Sequence, residues 1–199
     1  MEDMDIARIQ QIILNINELA KKIGIERVVE EYDDIIVELN NPLISYGYLI
    51  ITKDKTTKFK ENEQIVYDSN ILEVMYLLCR DVPGVNVRRF GQKVIDSGDP
   101  EYNFLFERDI KDSDKEAHDL AIIKSKNPKF NLLSSLLRAN HIKEKEEVVL
   151  NSHNAEYNYL YEHNVKGADV EAHKQVIEES NSEVYKKLVK LDEKGTKRI

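Results

Sequence analysis

The sequence predicts an all-α protein, an α-solenoid of short helix-turn-helix repeats with an N-terminal capping helix. Three observations predict it. The first is internal repetition: DPEYNFLFERDI from Asp99 recurs as NAEYNYLYEHNV from Asn154, and Ala117-His118 recurs as Ala172-His173. The second is phase: Ser69, Ser97, Ser125, Ser152 and Ser180 stand 28, 28, 27 and 28 residues apart, each followed within two positions by Asn or Asp. The third is helix-end chemistry. Asp99, Asn127, Asn154 and Asn181 are residues whose side-chain oxygens accept from the first unpaired N–H groups of a helix. Pro100, Pro128 and Pro42 suit the first helical position, where a missing N–H costs nothing.

Within one repeat, Tyr102, Leu105, Phe106 and Ile110 step by three and four and form the apolar stripe of a first helix, with Asn103 and Glu107 falling between them. Glu101 and Glu156 lie in the first turn, where the helix dipole favours negative charge. Asn86, Asp114 and Asp169 then cap a second helix, which carries Ala117, Ala121 and Ile122 in one copy and Ala172, Val176 and Ile177 in another. Helices this short are marginal in isolation. They gain stability by stacking on neighbouring copies, the physics of a solenoid. A single globular bundle of the same hairpins is the competing reading.

Weaker copies extend the array upstream. KENEQIVYDS from Lys60 parallels KEKEEVVLNS from Lys143, Asn41-Pro42 matches Asn127-Pro128, and EYDDII from Glu31 matches the end of AHDLAII. The predicted organisation is therefore a capping helix over 1–24, a repeat array over 25–191 and a charged tail over 192–199. In the cap, Ile6, Ile9, Ile13, Ile16, Leu19 and Ala20 share one face. Gln10, Gln11, Asn15, Asn17 and Lys21 give the polar outer face that an array end requires. Gly24 ends this helix and Ile25 to Leu39 forms the next. A strand at Asp34–Leu39 pairing with Tyr48–Thr52 is the alternative there, since both stretches are rich in strand-forming residues.

Pro42 to Lys53 reads as a first helix, followed by the polar turn Lys53 to Phe59, either a contact loop or an ordinary solvated one. Ile71 to Val82 is the next first helix, with Val74, Leu77, Leu78 and Val82 inward and Pro83-Gly84 as its stop. Arg88, Arg89 and Lys93 form a basic cluster on the following helix, where an acidic partner would dock. The run Leu132 to Leu137 is apolar on more than one face. The shortened loop from Arg138 to Ile142 favours a repacked turn over an exposed patch.

A formal charge of −8 on 199 residues disfavours nucleic acid as a ligand. No apolar run is long enough for a bilayer span. The acidic opening MEDMDIARIQQ lacks the features of a secretion signal. The single cysteine, Cys79, fits a reducing compartment, which places the chain in the cytosol of a bacterium or of an infected host. With seven glycines, no phosphate-binding loop can be assembled. His118, His173, Phe90 and Tyr32 share one repeat position, which points to packing, and successive imidazoles there stand too far apart to share a metal. Ser134, Ser135 and Cys79 read as core or loop residues, and Asp33-Asp34 and Glu146-Glu147 as surface charge. No catalytic, cofactor-binding or metal-ligating set emerges.

DPEYNFLFERDI and NAEYNYLYEHNVKGAD resemble helical-hairpin repeats with an Asp-Pro-x-Tyr opening, a mid-helix aromatic and a Val-x-Gly-Ala-Asp turn. Such repeats occur in proteins of phages, giant viruses and some bacteria. The resemblance covers about residues 68–185 and departs at Glu107 and Glu162, where a small residue is expected. It implies an α-solenoid and a viral origin, and it carries no catalytic residues. The function expected is that of a non-enzymatic scaffold binding a protein partner along its second helices. Arg88, Arg89, Lys93, Lys115, Glu116, Asp119, Glu144, Lys145, Glu171 and Lys174 are the contact residues. A viral version would inhibit a host nucleic-acid-cleaving complex by acidic mimicry. A nucleic-acid-binding repeat protein is the alternative, and homo-oligomerisation is compatible with both.

Overall fold

A computed structural model describes residues 6–53 and 55–193, and among these the chain is helical throughout, without a strand. The helices are α1 Ile6–Ile23, α2 Ile25–Glu38, α3 Pro42–Thr52, α4 Phe59–Asp68, α5 Leu72–Asp81, α6 Val87–Ser97 and α7 Pro100–Asp109. There follow α8 Lys115–Ser125, α9 Pro128–Leu137, α10 Ile142–Asn151, α11 Ala155–Asn164, α12 Val170–Glu179 and α13 Glu183–Glu193. This is the all-α, α-solenoid class, built of short hairpins preceded by one longer helix. The alternative strands lie inside α2 and α3. Residues 1–5 and 194–199, which include the start of the acidic leader and most of the expected tail, lie outside the described residues; Asp192 and Glu193 belong to α13. Among the described residues no helix is long and apolar enough to cross a membrane.

The phased serines are the hinge device of the repeat. In every copy the hydroxyl donates to the carbonyl three residues back, to Val66, Val94, Ile122, Val149 and Ile177 in turn. The same oxygen accepts the N–H two residues on, at Ile71, Asp99, Asn127, Asn154 and Ser182. The residue just after the serine turns left-handed at Asn70, Gly98, Lys126 and His153, which reverses the chain between helices. Asp99, Asn127 and Asn154 then cap the next helix as expected. In the last copy the helix begins at Glu183, so Asn181 falls one residue too early to cap it, and Ser182 stands at the capping position.

A buried asparagine locks each turn of the later repeats. Asn103, Asn131 and Asn158 are fully buried. Each donates its amide both to the carbonyl nine residues back and to the one four residues back. Asn103 therefore belongs to the buried side of α7, and so does Glu107. By spacing both fall between the apolar positions; inside the fold Asn103 meets His118 and one oxygen of Glu107 meets Ser134.

The chain divides into two compact units, one running to Lys93 and including Asp109–Ser113, the other comprising Val94–Arg108 and the chain from Asp114 onward. In the first, Val28, Ile36 and Tyr48 form a core against Ile16, Leu19, Ala20 and Ile23 of α1. Gly47 lets α1 approach: a Cβ there would stand 2.3 Å from Ile13 Cγ1. Asp33, read from the sequence as surface charge, is buried and ties down the turn after α3. It accepts from Tyr48 Oη at 2.7 Å, Thr56 Oγ1 at 2.5 Å, and Thr57 N at 2.9 Å. Glu146, of the second suspected surface pair, is also buried; it accepts from Asp169 N at 2.5 Å and lies 3.2 Å from His173 Nε2. In the second unit, Leu132, Val149, Tyr161 and Val165 make one cluster, and Ala155, Tyr159, Ile177 and Val189 another.

Candidate partner-binding surface

The second helices carry the residues expected to contact a partner, and their burial follows the repeat register. Counting from the phased serine, Lys60, Arg88, Glu116, Lys143 and Glu171 share one position, and all five are exposed. Two residues further on, Asn62, Phe90, His118, Lys145 and His173 share another, and all five are fully buried. One row thus varies in charge at a solvated position, while the other varies in chemistry inside the fold.

This register corrects two of the expected contact residues. Asp119 and Lys145 are completely buried and face each other, with Lys145 Nζ 2.6 Å from Asp119 Oδ1, so neither is available to a partner. Lys145 takes the place of the packing histidines, and the acid next to it in space compensates its charge. Burial of such a pair is tolerated only because each charge answers the other. Four more residues point partly inward. The Lys115 ammonium donates to the carbonyls of Phe106 and Glu107, closing the C-terminal end of α7. Arg89 lies 3.7 Å from the Tyr67 ring centroid and donates to Gln64 Oε1 at 2.8 Å. Lys93 stands 4.0 Å from the same centroid and donates to Tyr67 O. Two of the three residues of the basic cluster are therefore spent on a tyrosine of their own chain. Lys174 pairs with Glu193 at 3.2 Å. Arg88, Glu116, Glu144 and Glu171 remain exposed.

The histidines behave as packing residues. Nδ1 of His118 lies 2.8 Å from Asn103 Oδ1 and Nδ1 of His173 lies 2.7 Å from Asn158 Oδ1. Their rings lie against Phe106 and Tyr161, at 5.1 and 5.0 Å between centroids. Since each asparagine oxygen can only accept, Nδ1 carries the hydrogen. Burial lowers the His118 pKa to about 4 and lowers that of His173, the latter against the opposing pull of Glu146. Phe90 occupies the same position without a polar atom, and the residue that Asn103 and Asn158 replace in that copy is the buried Met75. Polar pairs with polar, apolar with apolar.

Around α9 the pattern changes. Ser134, where other copies have Leu78, Phe106 or Tyr161, lies 2.7 Å from Asp119 Oδ1 and 2.9 Å from Glu107 Oε2. A hydroxyl has one hydrogen to donate, so the two carboxyl groups compete for it. Asp119 also faces the Lys145 ammonium, whose Nζ lies 2.6 Å from its Oδ1. Burial pushes the Glu107 carboxyl above the usual range, with Ser134, Lys145 and Arg138 pulling the other way. Ser135 and Cys79 are buried as expected, and burial pushes the Cys79 thiol up, away from reactivity. Leu136 and Leu137 do not repack: they are 49% and 40% exposed. Leu137 stands in register with Asp81 and Asp109, which accept from the tyrosines Tyr46 and Tyr76. The partner position in this copy is Phe104, so no hydroxyl calls for an acid there.

One constellation escaped the sequence reading. A carboxylate oxygen of Glu116, one of Asp119 and a ring nitrogen of His141 all lie within 4.8 Å of one another. The signal was present: His141 stands in register with the capping acids Asp114 and Asp169, yet it makes no side-chain cap of α10.

The fold and surface together define a helical-repeat protein with a tightly registered interior and a charge-variable outer row. Comparison with family models, with curated proteins and with solved structures finds no match for this chain.

Proposed function

We propose that the chain is a non-enzymatic scaffold that binds a protein partner through the outward side chains of its second helices. The observation that carries this reading is the contrast between two rows two residues apart: one always buried, the other always exposed and changing from Arg to Glu to Lys to Glu. Core positions hold the register while solvated ones differ from copy to copy, the division of labour that repeat proteins use for recognition. In the second unit, Glu116, Glu144 and Glu171 give this face an acidic share, and the whole chain carries a formal charge of −8. The partner that suits it presents a basic surface, such as the nucleic-acid groove of a host defence nuclease if the chain is viral, met in a reducing cytosol. A basic partner groove would be reached faster and held more selectively by such a field, in a salt-dependent way.

The test compares affinity capture by the wild-type chain and by the triple variant Glu116→Lys, Glu144→Lys, Glu171→Lys. The expected result is a stoichiometric partner retained by the wild type at low salt and lost by the variant. Recovery of the chain alone, or an equally strong catch by both proteins, would refute the reading. A gel shift with RNA or DNA that weakens steeply with salt would replace it with nucleic-acid recognition.

A further inference from the structure

We propose that Glu116, Asp119 and His141 form a binding site for a divalent cation of the zinc class. Glu116 and Asp119 lie three residues apart, about one turn, on α8 and therefore share a face. His141 precedes α10 and brings its imidazole to them, with Nε2 2.5 Å from Glu116 Oε1. One imidazole nitrogen and two carboxylate oxygens are the donor set that zinc-class cations accept, with a fourth position left for water.

The cluster is more than neighbouring surface charge, because Asp119 is fully buried and only one of its oxygens is engaged. Oδ1 takes both Ser134 Oγ and Lys145 Nζ. Oδ2, equally shielded from water, accepts no hydrogen bond. An acceptor left bare inside a protein is costly and calls for a partner, and a cation bound between the three residues supplies one. The surroundings have the form of an outer shell. Ser134 and Lys145 hold the Asp119 carboxylate, and Glu144 Oε1 lies 3.8 Å from His141 Nδ1. His141 also adopts a left-handed backbone, φ 49, and leaves α10 without a side-chain cap, where Asp114 and Asp169 cap their helices in the same register.

The test is a zinc titration of the full chain by calorimetry or against a chromophoric chelator. Four proteins are compared: wild type, His141→Ala, Glu116→Gln, and His153→Ala as a control outside the cluster. Helical circular dichroism of each variant is recorded alongside. The wild type and His153→Ala should take up one zinc per chain, and His141→Ala and Glu116→Gln should each bind at least about tenfold more weakly. Zinc should raise the unfolding temperature of the wild type and not that of His141→Ala. Both substituted residues lie at the surface, so loss of binding with unchanged dichroism supports the site. Absence of saturable one-to-one binding would overturn it, as would uptake indifferent to both substitutions, which would mark an adventitious ion only.

Discussion

Acid should destabilise this protein through His118, by an amount that the repeat itself offers a way to remove. The folded imidazole is neutral: Nδ1–H donates to Asn103 Oδ1 at 2.8 Å, while Nε2 is buried without a partner. Burial is the main reason its pKa falls to about 4 from an ordinary value of 6.5, with Asp114 pulling the other way and Lys115 adding to the fall. Between those two values the unfolded chain binds a proton that the folded chain refuses. Stability is therefore complete above the ordinary value and is lost as pH falls toward about 4. The difference corresponds to about 3 kcal/mol for this one residue, a large share of a domain's typical margin. His173 shifts in the same direction and adds to the effect over the same acid range. The perturbation is the double substitution Asn103→Met, His118→Phe, which installs the Met75–Phe90 pair of the earlier copy. Urea unfolding from pH 8 to pH 4.5 should show the double variant losing about 2.5 kcal/mol less than the wild type. His118→Phe alone should cost about 1–3 kcal/mol at pH 8, because it strands the Asn103 oxygen. An unchanged pH slope in the double variant would refute the reasoning, as would a proton resonance of His118 that titrates at an ordinary value.

Glu107 has the opposite sign. Its raised carboxyl contributes stability that is full below the ordinary carboxylate range and erodes as pH rises through the folded value. Glu107→Gln, which keeps a polar group of the same shape opposite Ser134, should lose that erosion and be at least as stable as the wild type at pH 8, measured by urea unfolding. Gly47→Ala should cost about 1–3 kcal/mol by overpacking, because the added carbon meets Ile13 at 2.3 Å; a melting temperature equal to wild type would show that α1 can move aside. Ser125→Ala removes a hydroxyl that donates at 2.6 Å to Ile122 O and accepts from Asn127 N. Thermal unfolding should register about 1 kcal/mol for it, against under about 0.5 kcal/mol for the exposed neighbour Lys124→Ala.

The position of Lys145 shows where reading by polarity fails. Its repeat equivalents are His118 and His173, and that correspondence was visible in the sequence. A lysine, however, looks solvent-facing until the acid that answers it is known. Asp119 poses the mirror problem. Each residue alone belongs outside, and only the pair belongs inside. Arg89 and Lys93 are a milder case: their cationic character was legible, whereas the Tyr67 ring that occupies them belongs to the preceding second helix.

What the sequence by itself determined is the phase of the chain: where helices begin and end, which serines turn it, and that hairpins repeat. Those features rest on bonds between residues a few positions apart, such as a serine hydroxyl reaching three residues back and two forward, so local order suffices to specify them. Only the tertiary structure decided which polar residues go inside. Asn103, Glu107, Asp119 and Lys145 are buried against partners 15 to 27 positions away, and Leu136 and Leu137 are left exposed. The energy of a buried polar group depends on whether its partner arrives, and that is a property of packing rather than of composition.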